Sequence, residues 1–319
     1  MIKRRQVLGT LIGLAGVRAH AADWPDRPIK VLHGFGAGGP PDTVLRLIAR
    51  RLELTLGQPV IVENRPGASG TIAAAAVARA APVGYTLLFG VAANLAVAPA
   101  TMKVPPYDPV SAFAPIVEVA SGPYLWLVRG DAPVHTMAEF VAWAKSAPGQ
   151  LHYGSPGIAS VHHLATELLE RAAGMHMIQV PYTSSPYIPL LAGQIDAMFD
   201  SLPGPLPYLE SGKLRALGIT GSKRLRRVPA VPTLEEQGLR GIDVNSWWGF
   251  VAPAGTPGPI VQRVNAEVRN ALSDPSVQEL LSRFGIEQSA TSPQDFAALI
   301  RADGERWRQL ATTLGVSER

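Results

Sequence analysis

The chain has 319 residues and no cysteine, which excludes disulfides, thiolate catalysis and cysteine-ligated metals. Its net charge of +4 is matched by Lys3, Arg4, Arg5 and Arg18, in a stretch of 21 residues that holds no acid. The remainder is therefore near neutral and lacks the clustered cations that nucleic acid or an anionic membrane surface requires.

The first residues read as a secretory signal peptide over 1–21. A basic start is followed by the uncharged run Val7 to Val17 and by Ala19-His20-Ala21, an A-x-A cleavage pattern. The apolar core is too short to anchor in a bilayer, which takes ~20 residues. The Arg4-Arg5 pair leaves both the twin-arginine and the ordinary export route open.

The spacing beyond Trp24-Pro25 predicts a strand over Ile29 to Phe35, a glycine-rich turn, and a helix on which Val44, Leu47, Ile48 and Leu52 share a face. Strands over Val60 to Glu63 and Tyr85 to Phe89 flank a helix over Ile72 to Ala81. A second unit begins at Leu125 to Val128. It continues through a helix over Met137 to Lys145, a strand over Leu151 to Tyr153, a turn over Gly154 to Ser160 and a helix carrying Leu164, Leu168 and Leu169. Strands over Met177 to Val180, Ala197 to Phe199 and Leu214 to Ile219 follow, with a helix near Leu190. From Ser246 onward the tail reads as helices, over Pro259 to Leu272, Ser276 to Phe284 and Pro293 to Leu314, packing back on the first unit.

This alternation predicts an α/β chain of two lobes, each a mainly parallel sheet flanked by helices. Lobe 1 is expected over 22–124 and 246–319, and lobe 2 over 125–245. Two chain crossings between them would form a hinge.

Gly34-x-Gly36-x-x-Gly39, between a strand and a helix, fits the dinucleotide fingerprint, with Glu63 ending the next strand. Pro40-Pro41 removes two N–H donors where a pyrophosphate would sit, and export places the chain away from nicotinamide cofactors. No cofactor is expected. The same geometry suits a small anion held by backbone amides at the helix start, with Asp42 either capping the helix or ordering the ligand. The second turn offers Gly157 to Ser160 in the same way, with the Ser160 hydroxyl as N-cap, ligand donor or both. His162 and His163 are adjacent on a helix, point in different directions and have no ligand-spaced partner, so no metal is expected. His163 is either a ligand donor or a core histidine. Ser160 and His163 lack an orienting acid and Gly154-Ser155-Pro156-Gly157 is not a nucleophile elbow, so an enzyme is not expected. Trp247, Trp248 and Phe250 either wall a pocket or fill the space between lobes.

These turns stand in a sequence that resembles the Bug receptors, the periplasmic solute-binding proteins of tripartite tricarboxylate transporters. The marks are Phe35, Gly38-Gly39 and Asp42; Val62-Glu63-Asn64-Arg65-Pro66-Gly67-Ala68 with Gly70; Gly84 to Leu88; Pro106 to Pro109; Phe199-Asp200-Ser201; Gly212 to Leu217; and Ala252 to Pro257. The resemblance implies the type II periplasmic-binding-protein fold. It implies a small organic acid or amino acid held between Phe35, Gly38, Gly39 and Asp42 on one side and Gly157, Ile158, Ala159 and Ser160 on the other. Asn94 and Asp200 resemble further cleft positions. A periplasmic monomer that closes on its ligand and hands it to membrane transporter subunits is the implied partner scheme, with a signalling receptor as the alternative.

The chain departs from the family where Gly36 follows Phe35, which loosens the first turn, and where Ala159 replaces a common glycine, which crowds the second. Thr183-Ser184 stands where the family carries Lys-Gly.

Overall fold

A computed structural model describes residues 24–182 and 185–315. The expected signal peptide and the Thr183-Ser184 departure lie outside the described residues. Strands β1 (Ile29–His33), β2 (Val60–Asn64) and β3 (Thr86–Val91) are parallel, with Val31 in register with both Val62 and Leu87. Helices α1 (Pro40–Leu56) and α2 (Thr71–Ala78) make the two crossovers. Both faces of these strands are buried: Val31 and Phe89 face one apolar cluster with Ile48 and Val264, while Leu32 and Leu88 face another with Ala74 and Leu95. A sheet covered on both sides in this way has no reason to alternate apolar with polar residues, and its strands read as continuous apolar runs.

After β3 come a π-helical turn over Ala93–Val97, α3 (Ala98–Thr101) and β4 (Phe113–Arg129), a strand of 17 residues. The first part of β4, from Phe113 to Pro123, pairs antiparallel with β9 (Asn245–Pro253). Its second part, from Tyr124 to Val128, pairs antiparallel with β7 (Ala197–Ser201), and from Leu125 to Arg129 it pairs with β8 (Leu214–Ile219) on its other side. One strand thus belongs to two sheets.

Beyond β4 the chain forms α4 (Met137–Ser146), β5 (His152–Ser155), α5 (Val161–Ala173), β6 (Ile178–Pro181), α6 (Tyr187–Leu191) and α7 (Leu206–Glu210). Strand β5 runs parallel to both β6 and β7. The second sheet packs on Trp126, whose ring meets Phe140 at 5.3 Å and Phe199 at 4.7 Å. The strand path is β2-β1-β3-β9-β4-β7-β5-β6.

Each lobe therefore has the expected parallel strands, but its sheet is mixed, because the two strands that cross between lobes run in opposite directions. The sequence reading started β4 twelve residues late, at Leu125, and treated β9 as part of a helical tail. Pro115 and Gly122-Pro123 interrupt the apolar pattern of β4; a register shift follows Pro115 and a second lies at Glu118/Ala120, while Gly122 and Pro123 stay in register with Ser246 and Asn245.

Helices α8 (Gly258–Leu272), α9 (Pro275–Phe284) and α10 (Pro293–Leu314) form the tail, with the two-residue strand β10 (Glu287–Gln288) paired to β4. Asn265 on α8 donates to the Ile116 carbonyl at 2.7 Å, tying the tail to the first lobe as expected. Helix α10 does more: Trp247 donates to its Asp303 at 2.8 Å, and Arg171 of α5 donates to the Thr313 carbonyl at 3.2 Å, so the helix touches both lobes. No helix among the described residues is long and apolar enough to cross a membrane.

Gly249, central in β9, lies under the Phe296 ring of α10. A Cβ there would come within 2.4 Å of the ring and 2.5 Å of the Val117 carbonyl. Gly249→Ala is expected to lower stability by about 1–3 kcal/mol, read as a reduced urea midpoint with an unchanged slope.

Candidate ligand-binding cleft

The two lobes face each other across a cavity of about 570 Å³ lined from lobe 1 by Gly34 to Gly36, Pro66 to Gly70, Ala93, Val97, Ala98 and Thr101, and from lobe 2 by Pro156, Ala159 to His162 and Ser185. A second cavity of about 320 Å³ shares Phe35, Ala93, Tyr124, His162 and Ser185 with it and continues toward Tyr187, Asp200, Ser201, Ser246 and Trp248. Together they form one cleft floored by Tyr124, the residue at which β4 passes from one sheet to the other.

The first wall is set by close backbone approach. A Cβ on Gly34 would lie 2.6 Å from the Gly70 Cα, and one on Gly70 would lie 2.9 Å from both the Phe35 ring and the Asn94 amide. Ala68, Ser69 and Gly70 all have positive φ, which turns the loop after β2 sharply into α2. Asn94 secures that loop from behind. Its Oδ1 accepts from the Val91 amide at 2.9 Å, its Nδ2 donates to the Gly70 carbonyl at 3.3 Å, and Tyr107 donates to its main-chain carbonyl at 2.5 Å.

Asp42 is turned onto the loop before α1. It is 1 % exposed and accepts from the Gly38 amide at 2.9 Å, Asn64 Nδ2 at 2.8 Å and Arg46 Nε at 2.9 Å. Burial works against its charge, but Arg46, the Gly38 amide and Asn64 outweigh it and hold the carboxyl below the usual aspartate range. Helix α1 starts with Pro40-Pro41, Gly39 is its N-cap, and the Gly38 amide is spent on Asp42. Gly38, Gly39 and Asp42 thus brace the turn and do not line the cleft, whose lobe-1 wall includes Phe35, Gly36, the Pro66 to Gly70 loop and, toward the far end, Pro40 and Pro41.

On the other wall, Ser160 caps α5: its hydroxyl accepts from the His163 amide at 3.2 Å and donates to the Gly157 carbonyl at 2.8 Å. Among the described residues, the amides of Val161 and His162 have no protein partner, and both residues line the cavity. They are first-turn donors at the positive end of the helix. Gly157 and Ile158 lie outside the lining, with Ile158 55 % exposed. His163 also lies outside the lining. It is buried, and its Nδ1 accepts from the Ala159 amide at 2.9 Å.

The neighbouring His162 faces the cleft instead. Its ring packs edge-on against Tyr124 at 5.1 Å, and its Nε2 lies 3.7 Å from Asp200 Oδ1. Asp200, at the far end of the cleft, accepts from the Tyr187 hydroxyl at 2.5 Å and the Ser201 amide at 2.7 Å. Burial opposes its charge, but His162, Ser185 and Tyr187 keep its carboxyl below the usual range. Trp248 lines the far end, while Trp247 and Phe250 are core residues, so the aromatic group divides between the two readings. No lysine or arginine occurs among the described lining residues.

Of the residues expected at the site, Phe35, Ala159, Ser160 and Asp200 line the cleft. The sequence reading missed Tyr124, His162, Ser69 and the Ala93–Thr101 wall. The only local signal for the last was the apolar stretch after β3, which reads equally as core.

Over residues 44–316 the sequence matches the family described as the tripartite tricarboxylate transporter family receptor. The chain belongs to this family. A UPF0065 protein of the gbd 5′ region in Cupriavidus necator is 38 % identical over 96 % of this chain and 94 % of its own length. The solved structure of the periplasmic binding protein BugD superposes with a TM-score of 0.82 at 34 % identity, covering 93 % of this chain and 100 % of BugD. MatC from Rhodopseudomonas palustris, solved with bound malate, gives 0.81 at 36 % identity over 90 % of this chain and 99 % of MatC. The tripartite tricarboxylate receptors are periplasmic solute-binding proteins and not enzymes, and the mixed α/β architecture described above is theirs.

Asp42 titrates lower in the folded chain than in the unfolded one, so its contribution is complete above the ordinary aspartate range and is lost as pH falls through and below it. Asp42→Ala is expected to cost about 1–3 kcal/mol at neutral pH. The difference from wild type should shrink below about pH 4, measured by urea unfolding at a series of pH values.

Proposed function

We propose that the chain captures a small carboxylate between lobe 1 (22–124 and 246–319) and lobe 2 (125–245). It does so in the periplasm, after removal of residues 1–21, and as a monomer it delivers its cargo to the membrane subunits of a tripartite tricarboxylate transporter. The observation that carries this reading is the pair of unpartnered amides of Val161 and His162 at the start of α5, both residues lining a cleft whose described lining has no lysine or arginine. An anion in such a cleft is gripped by peptide dipoles, which strengthen as water is excluded. Phe35, Ala159, Ser160 and Asp200 are the expected residues that remain in contact range of the ligand.

Closure of the lobes would bring the Phe35-Gly36 turn and the Pro66 to Gly70 loop onto the ligand from the other side. Asp200 adds a requirement at the far end. A second full negative charge beside an ionised carboxylate is unfavourable, whereas a hydroxyl or ammonium donor is welcomed. MatC, with malate bound, is a relative whose ligand combines carboxylates with a hydroxyl.

The reading predicts that at least one member of a panel of hydroxy acids, dicarboxylates and amino acids raises the melting temperature. Ligand at 100 times its Kd contributes about 2.7 kcal/mol. Flat melting curves across the panel at millimolar ligand would overturn it. Asp200→Asn should shift preference within the panel from hydroxy and amino acids toward plain diacids.

A further inference from the structure

Ala159 is a non-glycine residue at φ 59°, 4 % exposed, and it forms part of the lobe-2 wall of the cleft. Such a conformation costs an L-residue with a Cβ roughly 1–2 kcal/mol, so something local must hold it. The amide of Ala159 does not point at a ligand. It donates to His163 Nδ1 at 2.9 Å, one helical turn ahead.

A backbone N–H only donates, so Nδ1 must be unprotonated and the ring proton sits on Nε2. Glu167 Oε1 lies 3.6 Å from Nε2, on the side where that proton points. Its carboxyl is held below the usual glutamate range, foremost by His163 and against its own burial. The rest of the turn is fastened separately: Ser155 and Ser160 hydroxyls both donate to the Gly157 carbonyl, at 3.0 and 2.8 Å, and Gln179 donates to Ser155 Oγ at 2.8 Å. Only the Ala159 contact depends on a group that titrates.

We propose that His163 is a positioning residue whose neutral Nε2–H form locks the ligand-facing Ala159-Ser160 turn, and whose protonation releases it. Protonated, the ring presents an N–H to the Ala159 N–H and the acceptor is gone. The charged and titratable groups around the ring are Glu167 on the same helix, with Glu170 and Arg171 beyond it, Tyr153 of β5 stacked at 6.4 Å, and His176 after α5. Glu167 accepts from either form of the ring and so cannot replace the lost acceptor. The turn should therefore loosen as pH falls and Nδ1 takes up a proton. The proposal rests on the reading of the cleft as a ligand site only where it concerns affinity.

The decisive test needs no ligand. In the 15N-labelled protein, the Ala159 amide should be protected from exchange at pH 8, and the amide signals of residues 158–161 should move together between pH 8 and 5. His163→Asn places an amide oxygen near the position of Nδ1 and does not titrate. It should keep the protection and abolish the movement, although His162 is still present. His163→Leu should remain folded by its melting curve and lose protection at Ala159 by roughly three- to tenfold.

Equal protection in His163→Leu, or the same pH response in His163→Asn as in wild type, would overturn the proposal. Should His163→Leu not fold, the Asn comparison decides alone. In a second arm, L-malate affinity should fall roughly three- to tenfold from pH 8 to pH 5 in wild type beyond the change seen in His163→Asn. A wild-type protein that ignores malate at every pH speaks against malate as cargo, and the exchange arm then settles the role of His163.

Discussion

The hydrogen-bonded continuity of β4 is the constraint on which the molecule depends. One strand of 17 residues is edge partner to β9 in one sheet and central strand of the other, so neither lobe has a core independent of the crossing. At the crossing, Tyr124 and Thr220 exchange contacts. The Tyr124 amide donates to Thr220 Oγ1 and the Thr220 amide donates to the Tyr124 carbonyl, each at 2.9 Å. These bonds tie the outgoing strand to the end of β8, and the Thr220 hydroxyl also donates to the Val244 carbonyl just ahead of β9. The two chain crossings lie around Gly122-Pro123 and Val244 to Ser246. Tyr124, beside the first of them, is also the floor of the cleft.

The cleft is built from dipoles and fixed turns. Its one ionised carboxylate, Asp200, is answered by His162, Tyr187 and Ser185, and the remaining polar capacity comes from main-chain groups at helix starts. A dipolar grip is weak in water and strong in a dry crevice, which links affinity to how well the walls meet. It also makes the shape of each turn matter more than the identity of its side chains. This explains why so many residues near the site, among them Asp42, Asn64, Asn94 and Gln179, are occupied in holding loops.

The helical stretches and the parallel strands were legible because their signals are local: Val44, Ile48 and Leu52 share one face of α1, and glycine-rich turns mark its entry. The family's two turns were legible as well, but which atoms face the cleft was not. Asp42 looked like a ligand group because its partner Asn64 lies 22 residues away. The choice between His162 and His163 depends on the rotational phase of α5, which is set when Val161, Leu164, Ala165 and Leu169 bury against β5 and β7. Strand β4 was half hidden because Pro115 and Pro123 read as strand breaks, whereas one sits at a register shift and the other at the end of the β9 pairing.

The near-contact of Gly34 with Gly70 has a consequence for how receptors of this kind can diversify. Two main chains touch there without any side chain between them, so that part of lobe 1 is a rigid jaw with no room for substitution. New ligand preferences must be written elsewhere, in the small side chains Ala93, Val97 and Ala98 and in Ser185, Tyr187 and Ser201 across the cleft. The meeting point of the two main chains is inherited as geometry, and the side chains around it are free to be re-lettered.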